Sequence, residues 1–167
     1  MPAVLSTPAA PTLWHRLAAM IYELVLLFGV VFVVSWILLT ALRWTYPLAP
    51  GQRWVLQAVP FVAIGLYFAY CWSRGGQTLA MKSWGLKLES PARPLGFGRA
   101  FLRYVLAWHL LLPSLLLVAL FQLHALVDLV LFAAAFALML LTIYLDPGRQ
   151  YLHDRWLGTR VVKAPPR

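Results

Sequence analysis

The chain has 167 residues, of which 62% are hydrophobic and 11% charged, and a formal net charge of +9. An ordinary soluble domain is about a quarter charged, so this composition excludes a water-exposed surface, and at about 100–200 residues per domain the length leaves room for a single unit. The basic excess falls between apolar segments, where it sets membrane topology, and not on a patch that would read DNA or RNA. The expected partner is therefore a lipid bilayer and not a nucleic acid.

Residues 1–12 are rich in Pro, Ala, Ser and Thr and carry no charge ahead of an apolar stretch. They read as a flexible cytoplasmic N-terminus and not as a cleavable signal, so the first helix is expected to stay. Crossing about 30 Å of hydrocarbon takes roughly 20 apolar residues, and the absence of water there forces them into helix. Four segments meet that length. The first, about 17–42, is interrupted by Glu23. The second, about 55–72, contains Gln57 and Pro60, and the proline is expected at most to kink it. The third, about 101–121, has Arg103 near one end, His109 inside and Pro113 near its middle. The fourth, about 123–145, contains Asp128, and Gln122 alone separates it from the third, which predicts a tight helical hairpin. The fold expected is an all-α membrane protein, a four-transmembrane-helix bundle over residues 13–163 with a short tail at 164–167.

Lys and Arg are retained on the cytoplasmic side of a membrane. Twelve of the fourteen basic residues fall on one side of these spans: Arg16, then Arg74, Lys82, Lys87, Arg93, Arg99 and Arg103, then Arg149, Arg155, Arg160, Lys163 and Arg167. Arg43 and Arg53 alone fall on the other, so both termini are predicted to be cytoplasmic. Trp44, Tyr46 and Trp54 at the far side, and Trp14, Tyr70, Trp72, Tyr104 and Tyr144 at the near side, fit aromatic belts at headgroup level.

Laying QTLAMKSWGLK from Gln77 over QYLHDRWLGTR from Gln150 aligns Leu79 with Leu152, Lys82 with Arg155, Gly85 with Gly158 and Lys87 with Arg160. Arg16 and Arg103 correspond in the same way at the start of an apolar run. The overlay predicts two parallel helix-pair repeats related by an axis along the membrane normal; chance likeness between two interfacial segments is the alternative. Both segments are basic and amphipathic and carry a Trp (Trp84, Trp156). They are expected on the inner leaflet, with Gln77, Lys82, Lys87, Gln150, Arg155 and Arg160 as candidate anchors.

These residues together resemble the RDD family of small bacterial membrane proteins, named for an arginine and two aspartates. The opening LWHRLAAMIYE is similar to the family's first-helix signature, an Arg at the helix start and an acid within it, matched here by Arg16 and Glu23. GQTLAMKSWGLKL resembles its Gly-Gln-Thr-Leu segment after the second helix, and QYLHDRWLGTRVV its closing His-Asp followed by Gly-Thr. Glu23 departs from the aspartate the family's name implies; one more methylene keeps a charge role and weakens a role that needs tight geometry. The resemblance places the second acid at Asp154, with Asp146 and Asp128 as alternatives. It implies a multi-pass domain of largely unknown function, expected in the cell inner membrane, with transport of an unidentified ligand proposed and cation/proton antiport reported within the family.

Within lipid an ionised carboxylate costs several kcal/mol unless paired or wetted, which makes Glu23 the most informative residue. Arg16 lies seven positions earlier, roughly 10 Å down the same helical face, so Arg103 is the better expected partner. Glu23 then reads either as an ion- or proton-binding site or as half of a pair that fixes helix register. Asp128, four residues after His124, shares a helical face with it and could hold a cation or simply be wetted. For His109 a neutral imidazole bonded to a backbone carbonyl competes with proton relay. His153, Asp154 and Arg155 read as an ion-pair cluster that pins the tail. Gly65 with Ala69, and Ala133 with Ala137, mark close-packing faces within the bundle or a dimer. Cys71 is the single cysteine, so no intramolecular disulfide forms. No zinc-protease spacing, phosphate loop or serine elbow is present, and Gly96 and Gly98 lack the third glycine of a dinucleotide loop. No enzyme, metal or cofactor is expected. A transport or ion-exchange protein, acting as a homo-oligomer, and a non-transporting module that serves as assembly factor or binds a membrane-protein partner are the two readings left.

Overall fold

A computed structural model describes residues 10–90, 95–109, 111–121, 124–147 and 150–164. Most of the expected N-terminal tail, the hairpin junction at Gln122 and Leu123, Arg93, Arg149 and residues 165–167 lie outside the described residues.

Helix α1 (Leu13–Ala41) is the long apolar run, uninterrupted at Glu23. Helix α2 (Pro50–Gly75) starts about a turn and a half earlier than hydropathy predicts. Its start is set by Pro50 at the first helical position, where the missing N–H is harmless, and by Gln52, whose side chain accepts from the Ala49 N–H at 2.9 Å. Pro60 stays within α2, which continues to Gly75. A short α3 (Leu79–Ser83) and strand β1 (Leu86–Glu89) follow.

The predicted third helix is not continuous. It divides into α4 (Phe97–Ala107) and α5 (Leu111–Phe121), and α4 with Leu111–Val118 is bent by 50°. Pro113 is the physical reason: in an unbroken helix its ring would meet the carbonyl of His109 and leave it without a donor, whereas the first turn of a new helix tolerates proline. Ahead of the break the ladder tightens, with the Trp108 and His109 N–H groups donating to the carbonyls of Val105 and Leu106. Among the described residues three helices are thus long and apolar enough to cross a membrane by themselves, α1, α2 and α6 (Ala125–Leu141, extended to Tyr144 by a 3₁₀ turn), and the bent pair qualifies only when counted together. Helix α7 (Leu152–Leu157) and strand β2 (Arg160–Lys163) close the chain.

The two strands correct the purely helical expectation. They pair antiparallel, with Leu86 opposite Lys163 and Glu89 opposite Arg160. Gly85 and Gly158 lead into them with φ of +60° and +64°, a left-handed conformation that costs a residue with a Cβ roughly 1–2 kcal/mol.

Helix α2 packs on α1 and α4, α5 on α6, α3 on α1, and α7 on α4. Lipid offers no hydrophobic drive between spans, so contact relies on close approach. Gly65 supplies it for α2 and α4, because a Cβ there would stand 2.7 Å from Phe101 and 2.8 Å from Tyr104. Ala69 is buried on the same face, whereas Ala133 and Ala137 point outward from the described chain. The apolar core lies at the end of the bundle that carries the strands, where Ala19, Ala69, Trp72, Leu86, Tyr104 and Val161 meet. Phe28, Phe32, Trp36 and Ile37 of α1 and Leu126, Leu129 and Val130 of α6 are exposed, as lipid-facing side chains should be. The protein is a helical membrane protein with a small sheet at one end.

Candidate functional site

Two charged clusters are built into the strand-bearing end of the bundle. Glu23, only 7% exposed, points from α1 between α2 and α3. Tyr67 Oη of α2 donates to its Oε1 at 2.7 Å, and Thr78 Oγ1 donates to its Oε2. Thr78 is also the N-cap of α3, accepting from the Met81 N–H at 3.2 Å, so one hydroxyl starts a helix and grips the acid. Neither expected arginine reaches Glu23, and among the described residues no cation forms a salt bridge with it.

Arg103 instead belongs to the second cluster. Its Nε donates to Asp154 Oδ1 at 2.7 Å, and its guanidinium lies 4.2 Å from the centre of the Trp72 ring. Asp154 is 0% exposed and also accepts from Thr159 Oγ1 at 2.8 Å. Burial alone would raise the Asp154 carboxyl, but Arg103, His153 and the hydrogen bonds from Arg103 and Thr159 outweigh it and hold the group below the usual carboxylate range. His153 Nε2 is 3.8 Å from Asp154 Oδ2, and its ring stacks on Tyr151 at 5.6 Å. Burial pushes the His153 imidazole down to about 4; Asp154 opposes this, while Arg103, His109 and Arg16 add to it. The ring is therefore neutral at physiological pH. Burial likewise raises the Tyr151 phenol, with Arg16 pulling the other way. Arg16, in the first turn of α1, lies with its guanidinium 5.2 Å from the centre of the Tyr151 ring.

The remaining predicted residues separate. Asp128 stands at the opposite end of α6, about 25 Å of helix away at 1.5 Å per residue. His124 caps that helix and is exposed, and no side-chain bond joins the two among the described residues. His109 Nδ1 is 2.7 Å from the Leu106 carbonyl, the neutral, carbonyl-bonded arrangement, and its ring lies 5.1 Å from Trp156 and 6.4 Å from His153. Asp146 accepts from the Gln150 N–H and takes no part in either cluster.

The anchor residues also divide. Lys82 and Arg155 are exposed beside exposed Trp84 and Trp156, Lys87 is half-buried, and Arg160 pairs with Glu89 at 3.1 Å. Gln77 and Gln150 brace the strands: Gln77 Nε2 donates to the Leu86 carbonyl, and Gln150 Oε1 accepts from the Val161 N–H.

Sequence reasoning missed Tyr67, Thr78, Tyr151 and Thr159 as site residues, and it placed Trp72 in the aromatic belt, whereas the ring is buried against Arg103. Thr78 and Thr159 carried a local signal, since both lie in the family-like segments and Thr78 has the residue type and position of an N-cap. Tyr67 and Trp72 carried none, because only the packing of α2 brings them to the charges. Among the described residues no group of His, Cys, Asp and Glu is arranged to hold a metal ion.

Neither a curated protein nor a solved structure matches this chain. The sequence pattern of the RDD family matches residues 10–158, a span that takes in Arg16, Glu23, Arg103 and Asp154 and covers most of the chain. A family pattern that covers most of the chain, laid over a set of apolar helices, shows that the chain belongs to the RDD family.

Proposed function

We propose that this protein exchanges a small cation or a proton across the cell inner membrane, with Glu23 as the exchanging group. The observation that carries this reading is the Glu23 environment: a buried carboxylate whose bonds, among the described residues, come from the neutral hydroxyls of Tyr67 and Thr78 and not from an arginine. Carboxylate and hydroxyl oxygens are hard ligands of the kind small hard cations select, and a carboxylate without a side-chain counter-charge is where a cation or proton would complete the balance.

The reading includes both termini in the cytoplasm, supported by the placement of twelve of the fourteen basic residues, and assembly into an oligomer, since so few spans enclose a small pathway. It also takes the spans as two parallel pairs. In support, α2 is followed by Gln77, a short helix, left-handed Gly85 and a strand, and α6 by Gln150, a short helix, left-handed Gly158 and a strand.

The test is purified protein in proteoliposomes, screened for Na⁺-, K⁺- and H⁺-driven exchange. Wild type should exchange at least one cation against protons, and Glu23→Gln, which keeps the shape and removes the charge, should abolish it. Exchange undiminished in the variant would remove Glu23 from the mechanism; no exchange by wild type under any gradient would remove the mechanism.

One observation favours a second reading. Thr78 ties Glu23 to the first turn of α3, which is what a purely architectural acid would do in a non-transporting assembly factor. That protein would co-purify with a membrane partner, and a stable, solitary protein in mild detergent would count against it.

A further inference from the structure

A second site follows from the charge balance around Arg16, independently of whether Glu23 exchanges ions. Arg16 is 3% exposed, and among the described residues none of its Nε, Nη1 and Nη2 atoms makes a hydrogen bond of normal geometry; its close companion is Tyr151, whose ring centre lies 5.2 Å from the guanidinium. A guanidinium carries five N–H donors, and leaving a charged group buried and unbonded costs more than for any neutral group. Among the described residues, every charged or titratable neighbour in the cluster is otherwise engaged or neutral. Asp154 acts on it but is bonded through Oδ1 to Arg103 and Thr159, so among the described residues one carboxylate stands beside two arginines. His153 is uncharged, His109 is turned to the Leu106 carbonyl, and Glu23, two turns along α1, is taken by Tyr67 and Thr78. Among the described residues one positive charge is left over, its guanidinium over the ring of Tyr151, whose buried hydroxyl also makes no hydrogen bond of normal geometry.

We propose that Arg16 and Tyr151 form a binding site for a phosphate group. A rigid planar fork of donors suits a tetrahedral oxyanion, which it can hold through two parallel bonds, and the Tyr151 hydroxyl supplies a third donor. Asp154 Oδ2 is buried, unbonded and an acceptor; it would repel an anion without hydrogen, whereas a phosphate that keeps one P–OH donates to it. The ligand class is therefore a phosphomonoester or inorganic phosphate and not a phosphodiester. Arg16 lies in the first turn of the first span and Tyr151 just past the end of the last, which is the level of lipid phosphates, so the same group can arrive on a lipid headgroup or from solution.

The test uses the full chain, delipidated in an uncharged maltoside detergent, and reads thermal unfolding. In one arm inorganic phosphate is titrated against chloride at matched ionic strength. In the other, short-chain phosphatidic acid is titrated against diacylglycerol of the same chain length, with phosphatidylglycerol as the diester. Binding at about 100 times Kd should raise Tm by at least about 5 °C. A rise in the first arm assigns the site to a free anion and a rise in the second to a headgroup; either supports the proposal. Tyr151→Phe keeps the ring beneath Arg16 and removes one donor, so the midpoint concentration should increase about tenfold, the equivalent of one hydrogen bond. Arg16→Lys keeps the charge, loses the fork and should weaken binding further. Wild type protected no better by phosphate or phosphatidic acid than by their controls would overturn the site. So would protection that is undiminished in both variants, and so would phosphatidylglycerol matching phosphatidic acid for the P–OH assignment.

Discussion

At the scale of single residues, burial decides what each charge is worth. Asp154 is enclosed completely and faces Arg103, and removing one partner of such a pair strands the other, at about 3–5 kcal/mol. Asp154→Asn should therefore lower stability in detergent unfolding by about that amount, and Arg103→Met combined with Asp154→Leu should recover much of it, because a matched apolar pair leaves no charge stranded. His153 adds a pH dependence whose sign is fixed. Its imidazole falls from an ordinary 6.5 to about 4 in the fold, so between those values the unfolded chain takes up a proton that the native chain refuses. The contribution is complete above pH 6.5 and is lost as pH falls to 4, about 3 kcal/mol in all. Denaturation followed across that window should show the loss, and His153→Phe should flatten it, leaving the drop from Asp154 at still lower pH. Arg103 was legible in the sequence as a charge near the end of an apolar run, and His153 and Asp154 through the closing segment that resembles the family's. Their partners were not. Arg103 takes Asp154 and not Glu23 because α7 packs on α4, while Glu23 faces α2 and α3, and no spacing along the chain encodes which helices meet.

At the scale of elements, glycines and a proline mark where hydropathy misleads. The long apolar runs of α1, α2 and α6 were readable because length alone forces a helix in lipid. The bend between α4 and α5 was not, although Pro113 was visible, because a proline inside an apolar run permits either a kink or a restart and only packing selects one. The strands were hidden for another reason: LKLE and RVVK are only four residues each, too short for alternation to stand out from an amphipathic turn. Gly65 offers a direct check of the α2–α4 contact. Gly65→Val would push a branched side chain against Phe101 and Tyr104, where even a Cβ stands 2.7 Å away. The expected cost is about 1–3 kcal/mol, seen as a lower unfolding midpoint. Ala133→Val, on an outward face, should leave the monomer's midpoint unchanged.

At the scale of the whole molecule, the proposed orientation makes the charged end the cytoplasmic end. Reporters that are active on only one side of the membrane, fused to the N- and C-termini in turn, should both report the cytoplasm; opposite answers would require an odd number of crossings. That parity also bears on the bent pair, since with α1, α2 and α6 crossing once each, the two termini share a side only if α4 and α5 together complete a crossing.

The small sheet gives this arrangement a mechanical property. The Leu88 N–H donates to the Gly76 carbonyl at the end of α2, β1 pairs along its length with β2, and the Ala164 N–H donates to the Gly85 carbonyl. Backbone bonds thus run in series from α2 through β1 to β2, and the chain joins these to α3 on one side and α7 on the other. Glu23 is fastened to α3 through Thr78, and Asp154 rides on α7. The strands therefore act as a tie-bar: they fix the distance between the element that grips Glu23 and the element that carries Asp154, although no hydrogen bond joins the two acids among the described residues.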